Sequence, residues 1–180
     1  MKKTLGAFTL TEILVVIAVI GILGVGLTRL NFSRISQTEL VSIESIKILT
    51  SLEEMRNNAL VGKAEDIDGE IPISWDMTFD QSGGEYITSI TDSSGIRDTI
   101  RNTELRNPLE IVTLTCTNLD GSNPGTSSII TISFLTGGDT QLDGCPAAVT
   151  HPRILDIEVG FGSIIRTIRI NTLTDVIEEL

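Results

Sequence analysis

The chain has 180 residues and a formal net charge of −11, with one histidine and two cysteines. The acidic balance provides no long-range attraction to nucleic acid or to an anionic membrane surface. Two cysteines and one histidine are too few for the common four-ligand structural zinc sites. Both cysteines, Cys116 and Cys145, lie in the polar part of the chain, where an even count points to one disulfide; two buried thiols are the alternative.

Lys2 and Lys3 open the chain, and an apolar run follows from Phe8 to Leu27, interrupted by Glu12. About 20 such residues make a helix of ~30 Å, enough to cross a bilayer. The two lysines are expected on the cytoplasmic side, which sends the C-terminal domain outward. A conventional secretory signal places small residues after its apolar region, whereas here Gly6 and Ala7 precede it. A cut after Ala7 would therefore remove the charges and keep the helix. A mid-membrane acid costs roughly 2.5–3.5 kcal/mol, less near the interface. Glu12 reads either as an interfacial carboxylate or as half of an ion pair. A cut before Phe8 creates an α-amino group one helical turn away, in the same chain or in a neighbour.

Residues Gly6–Glu12, "GAFTLTE", followed by "ILVVIAVIGILG", resemble the class III signal of type IV pilins and type II secretion pseudopilins. The resemblance implies cleavage between Ala7 and Phe8 by a prepilin peptidase and N-methylation of Phe8. It also implies that Glu12 helps recruit the subunit into a filament by meeting a neighbour's N-terminal amine. Gly21 falls on a glycine common in that helix. The sequence departs from the family pattern at two places. Ala7 stands where the family usually has glycine, and Arg29 stands where many major pilins carry proline.

Beyond Leu30, Val41, Ile48, Leu52, Met55 and Ala59 recur at helical spacing, and Gly62 offers a stop. No proline occurs before Glu70. One helix of some 50 residues is expected, membrane-spanning and then amphipathic, with a break near Asn31–Ser33 as the alternative. Strands then follow. Ile73, Trp75, Met77 and Phe79 alternate with polar residues, and "EYITSI" after "DQSGG" suggests a hairpin. Val112, Leu114 and Cys116 alternate, as do Ile130, Ile132 and Phe134, and as do Leu155, Ile157, Val159 and Phe161. "GFGS" separates the last set from "IIRTIRI", a second hairpin candidate. The expected fold class is α+β: a long N-terminal helix packed on an antiparallel β-sheet, pilin-like. The expected division is a leader over 1–7, a transmembrane assembly helix over 8–30, its amphipathic continuation over 31–62 and a β-rich extracytoplasmic domain over 63–180. The order of elements also resembles the H-type (GspH/FimT) minor pseudopilins. No internal repeat or low-complexity tract is present.

Motifs for enzyme chemistry are missing: there is no G-x-S-x-G, H-E-x-x-H or phosphate-binding G-x-x-x-x-G-K-[ST]. Cys116 with His151 as nucleophile and base is the one catalytic pairing to weigh against a disulfide and a loop histidine. Glu65, Asp66, Asp68 and Glu70, and separately Asp139 and Asp143, raise calcium, but neither set has the spacing of an EF-hand. Solvated loop acids are the plainer reading, so no metal or other cofactor is expected. Arg97, Arg101 and Arg106 form the one basic concentration beyond the leader, with Arg97 and Arg101 expected to share a helix face. Asp98 and Glu104 interrupt it, and aromatic residues are few, so nucleic acid is not an expected partner. Trp75 and Tyr86 read as core strand residues.

These readings converge on a non-enzymatic structural subunit of a type II secretion pseudopilus or type IV pilus. The expected location is the bacterial cytoplasmic membrane, single-pass, with the N-terminus cytoplasmic. Expected partners are the prepilin peptidase, other pilin or pseudopilin subunits, the inner-membrane assembly platform and the membrane itself. The competing reading is a minor tip pilin whose domain binds DNA or a secreted protein.

Overall fold

The computed structural model describes residues 11, 13–20, 32–64, 71–149 and 153–180. The chain divides into two units, Met1–Ser36 and Gln37–Leu180. In the first, residues 13–20 are helical and their large apolar side chains, Ile17 and Leu14 among them, are exposed. Helix α1, Phe32–Val61, begins in the first unit and runs on into the second.

From Gln37 onward α1 buries the stripe anticipated from its spacing: Val41, Ile48, Leu52, Met55 and Ala59 are all nearly inaccessible. Two polar residues share that face. Glu44 is held by Lys47 at 3.0 Å, and the Ser45 hydroxyl donates to Glu179 Oε1 at 3.2 Å. The helix stops at Gly62, whose φ of 60° suits glycine. The Gly62 N–H reaches the Ala59 carbonyl and the Lys63 N–H reaches that of Asn58, a Schellman closure that satisfies carbonyls the helix leaves open.

Among the described residues ten strands follow: β1 Ser74–Asp80, β2 Glu85–Thr91, β3 Arg97–Glu104, β4 Glu110–Asn118, β5 Gly125–Thr126, β6 Ile129–Leu135, β7 Thr140–Asp143, β8 Arg153–Phe161, β9 Ile164–Asn171 and β10 Val176–Glu179. They form two antiparallel five-stranded sheets, ordered β3-β2-β1-β6-β7 and β10-β9-β8-β4-β5. In the first sheet the register aligns Trp75, Met77 and Phe79 with Phe134, Ile132 and Ile130 on one buried face. In the second, Leu114 and Cys116 lie beside Ile157 and Leu155, next to Ile168 and Ile170. These residues and the α1 stripe make one hydrophobic core.

Two register shifts matter. In β4 an irregularity between Ile111 and Thr113 turns Ile111 into the core and leaves Val112 half-buried. In the β2–β3 pairing Thr88 faces Arg101 while Ser89 faces Thr99, so Ile100 is the extra residue of a bulge.

The structure corrects the expected fold class. The described chain is mostly antiparallel β-sheet in two sheets, and a single 50-residue N-terminal helix is not what organises it. Among the described residues, no helix is long and apolar enough to cross a membrane. The reason in α1 is visible in its residues: Glu39, Glu44, Lys47, Glu53, Glu54 and Arg56 interrupt it, and its apolar stripe is used on the sheets. The expected single-pass placement in the cytoplasmic membrane is overturned by the same finding.

Candidate functional site

Three of the residues singled out in the sequence, Ala7, Phe8 and Glu12, lie outside the described residues. So do His151 and the acids Glu65, Asp66, Asp68 and Glu70. The cysteines are described, and they are joined. Cys116 in β4 and Cys145 in the β7–β8 connection form a disulfide with a Cα–Cα distance of 5.8 Å. The bridge anchors the segment that leaves the first sheet onto a strand of the second. Beside it, Pro146 packs so closely on Gly125 of β5 that a Cβ there would sit 2.7 Å from the proline ring. Trp75 and Tyr86 are buried strand residues, and the Lys63 ammonium lies 5.7 Å from the centre of the Trp75 ring.

The arginines do not share a helix face, because the segment that holds two of them is β3, an edge strand exposed along nearly its whole length. The bulge at Ile100 breaks the alternation, so Arg97 stands opposite Thr91 and Arg101 opposite Thr88, on different faces. Arg97 is engaged: its Nε lies 3.3 Å from Asp76 Oδ2. Asp76 is fully buried in β1 and accepts a 2.6 Å hydrogen bond from the Thr91 hydroxyl. Its Oδ1 has no partner among the described residues, and neither has the buried Ser89 hydroxyl, whose residue faces Asp76 across the β1–β2 pair. Sequence alternation marks Asp76 as an outward residue. Nothing in the one-dimensional pattern shows that it is buried against an arginine twenty-one positions on.

Aspartates also shape the turns. Asp80 Oδ1 accepts from the Ser82 hydroxyl at 2.6 Å, the Ser82 N–H at 2.8 Å and the Gly83 N–H at 3.1 Å. Those bonds, the Ser82 hydroxyl foremost, hold its carboxyl below the usual aspartate range. Asp120 repeats the device with the hydroxyl and N–H of Ser122, with the same direction of shift. On the outer face of the second sheet, Arg169 grips Asp156 through Nε at 2.8 Å and Nη2 at 2.9 Å, and the Asp156 hydrogen bond raises the guanidinium's affinity for its proton.

A cavity that joins apolar walls to charged groups lies where α1 ends. The β6–β7 and β9–β10 turns meet it there, enclosing about 120 Å³. Arg56, Asp139 and Asp175 contribute charge, and Ala59, Leu60 and Phe134 contribute apolar surface. Asp139, one of the acids singled out in the sequence, thus lines a cavity, while Asp143 is an exposed residue of β7. Among the described residues, no three His, Cys, Asp or Glu side chains come together as a metal would need. Arg56 and Asp175 were not singled out by sequence reading, since they are 119 positions apart.

No family model, no curated protein and no solved structure matches the chain.

Proposed function

We propose that the chain is a structural subunit of a pilin- or pseudopilin-type filament, cut between Ala7 and Phe8 and assembled through the residues that follow. The observation that carries this reading is the run "GAFTLTE" leading into residues 13–20, whose apolar helical side chains stand exposed. An apolar surface of that kind is covered in practice by another apolar surface, and equivalent residues of neighbouring subunits supply one. Glu12 sits at the start of that surface in the sequence, where the amine of a cut chain neutralises it. The disulfide-linked β-domain is the part such a subunit would display, and the buried stripe of α1 makes the domain and its helix one packed body from Gln37 onward.

The test is intact mass and N-terminal sequence of the protein produced with and without a prepilin peptidase. Loss of residues 1–7 with a methylated Phe8, seen only with the peptidase, supports the reading. A chain still starting at Met1 in both samples overturns it. Glu12→Ala is expected to be processed normally yet enter filaments poorly, and undiminished incorporation would remove the pairing role.

A further inference from the structure

Among the described residues β3 is the longest edge strand of either sheet, with eight residues against four in β7, four in β10 and two in β5. Seven of its eight residues are exposed, and Thr103 is half-buried. Its outer edge presents backbone N–H and C=O groups that no described strand takes up, a template for one further strand.

The bulge at Ile100 decides which side chains flank that edge. Arg97, Thr99, Asn102 and Glu104 share the face that carries Asp76, while Asp98, Arg101 and Thr103 share the face turned towards Trp75. In an unbroken strand Asp98 and Arg101, an odd number of residues apart, would point to opposite faces. The extra residue brings them to the same one. Arg97 is tied to Asp76. Among the described residues the side chains of Asp98, Arg101 and Glu104 form no ion pair or hydrogen bond.

This order of charges selects a second copy of the same strand as partner. In an antiparallel pair, residues directly opposite share a face, so a two-fold axis between copies must pass through a residue position. Centred on Arg97 or Arg101, it sets two arginines face to face; centred on Asp98 or Glu104, it sets two acids face to face. Both arrangements are unfavourable. Centred on Asn102 or Thr103, it leaves no acid opposite an arginine. Centred on Thr99, it places Asp98 of each copy opposite Arg101 of the other and Glu104 diagonal to Arg97, and the two Thr99 side chains meet on the axis. Each of these cross-strand contacts is favourable. Charges and a bulge also serve to keep an edge unpaired. A guard of one sign, however, repels its own copy in every register, and β3 carries two charges of each sign.

We propose that β3 is a self-association edge, through which two copies of this chain pair antiparallel about Thr99 and join their first sheets into one. The edge lies in the second unit, and the inference does not rest on the filament reading.

The test is disulfide trapping in the full chain, whose own two cysteines are already joined. Directly opposite residues lie within reach of a disulfide, so Thr99→Cys should form a covalent dimer rapidly under mild oxidation of a dilute sample. Asn102→Cys sits four strand positions, about 13 Å, from its counterpart in this register and should cross-link at least tenfold more slowly. Adding Arg101→Glu to Thr99→Cys should slow trapping about tenfold. Adding the exchange Asp98→Arg with Arg101→Asp instead should leave trapping as fast as in Thr99→Cys alone, which a misfolded variant would not do. Association through residues 13–20 alone would trap both cysteine positions alike. The inference is overturned by Thr99→Cys trapping no faster than Asn102→Cys, by an unchanged rate with Arg101→Glu, or by slow trapping in the charge-exchanged variant.

Discussion

Removing the Cys116–Cys145 bridge should cost more than any single contact described above. The two residues are 29 positions apart. Closing a loop of that size in the unfolded chain removes about 12 cal/mol/K of entropy, or about 3.6 kcal/mol at 25 °C. A domain of this size is stable by only about 5–15 kcal/mol, so the loss is a large share. Cys116 is fully buried, so alanine is the better replacement; serine would add an unpartnered hydroxyl to the core. The measurement is urea unfolding of the oxidised protein, the same protein in reductant, and the Cys116→Ala/Cys145→Ala variant. With a slope of roughly 1–3 kcal/mol/M, the midpoint should fall by about 1.2–3.6 M, and the reduced and double-alanine curves should nearly coincide. A change below about 1 kcal/mol would refute the reasoning. It would mean that Pro146 on Gly125 and the buried Val149 already hold the β7–β8 connection without the bridge.

The Asp76–Arg97 pair should respond asymmetrically. Arg97→Ala leaves a fully buried carboxylate without its counter-charge and should cost about 3 kcal/mol. Asp76→Asn leaves a half-exposed guanidinium that water can reach and should cost about 1 kcal/mol; equal losses in urea unfolding would show that the carboxylate is not effectively buried. Asp80 and Asp120 have depressed carboxyl pKa values in the fold. Their contribution is therefore complete above the unfolded aspartate pKa of about 4 and is lost as the pH falls through the lower folded values. Carboxyl-carbon NMR should place both midpoints below those of exposed aspartates, and Asp80→Asn should flatten the acid limb of the stability curve. Gly160→Ala should destabilise by at least about 1 kcal/mol, because its methyl group would strike the Ile164 carbonyl across the β8–β9 pair. Thermal unfolding that matches wild type would show that the hairpin yields freely.

What the sequence revealed was mainly periodic. The stripe from Val41 to Ala59, the stop at Gly62 and the strands around Trp75, Ile132 and Ile157 could be read because each repeats at the spacing of one element. The disulfide was legible by parity. Val112 was read as a core residue by strict alternation, but the irregularity after Ile111 moved the core position back by one. β3 escaped altogether: its run of arginine, aspartate and threonine belongs to an exposed edge, where burial imposes no pattern. The division into two sheets was not legible either, since nothing local specifies that β6 returns to β1 while β8 pairs with β4. The cavity at the end of α1 depends on three separate segments meeting, and no motif reports such a meeting.

The contacts of α1 with the β9–β10 hairpin also set an order of events during synthesis. Arg56 and the carbonyl it binds are 119 residues apart. At ~5–20 residues per second, roughly 6–24 s pass between the appearance of the helix and of its partner. During that interval Ile48, Leu52 and Met55 have no complete sheet to cover them. The nascent helix thus presents an uncovered apolar stripe before it is part of a domain, and slowing translation downstream of α1 should lengthen that exposure.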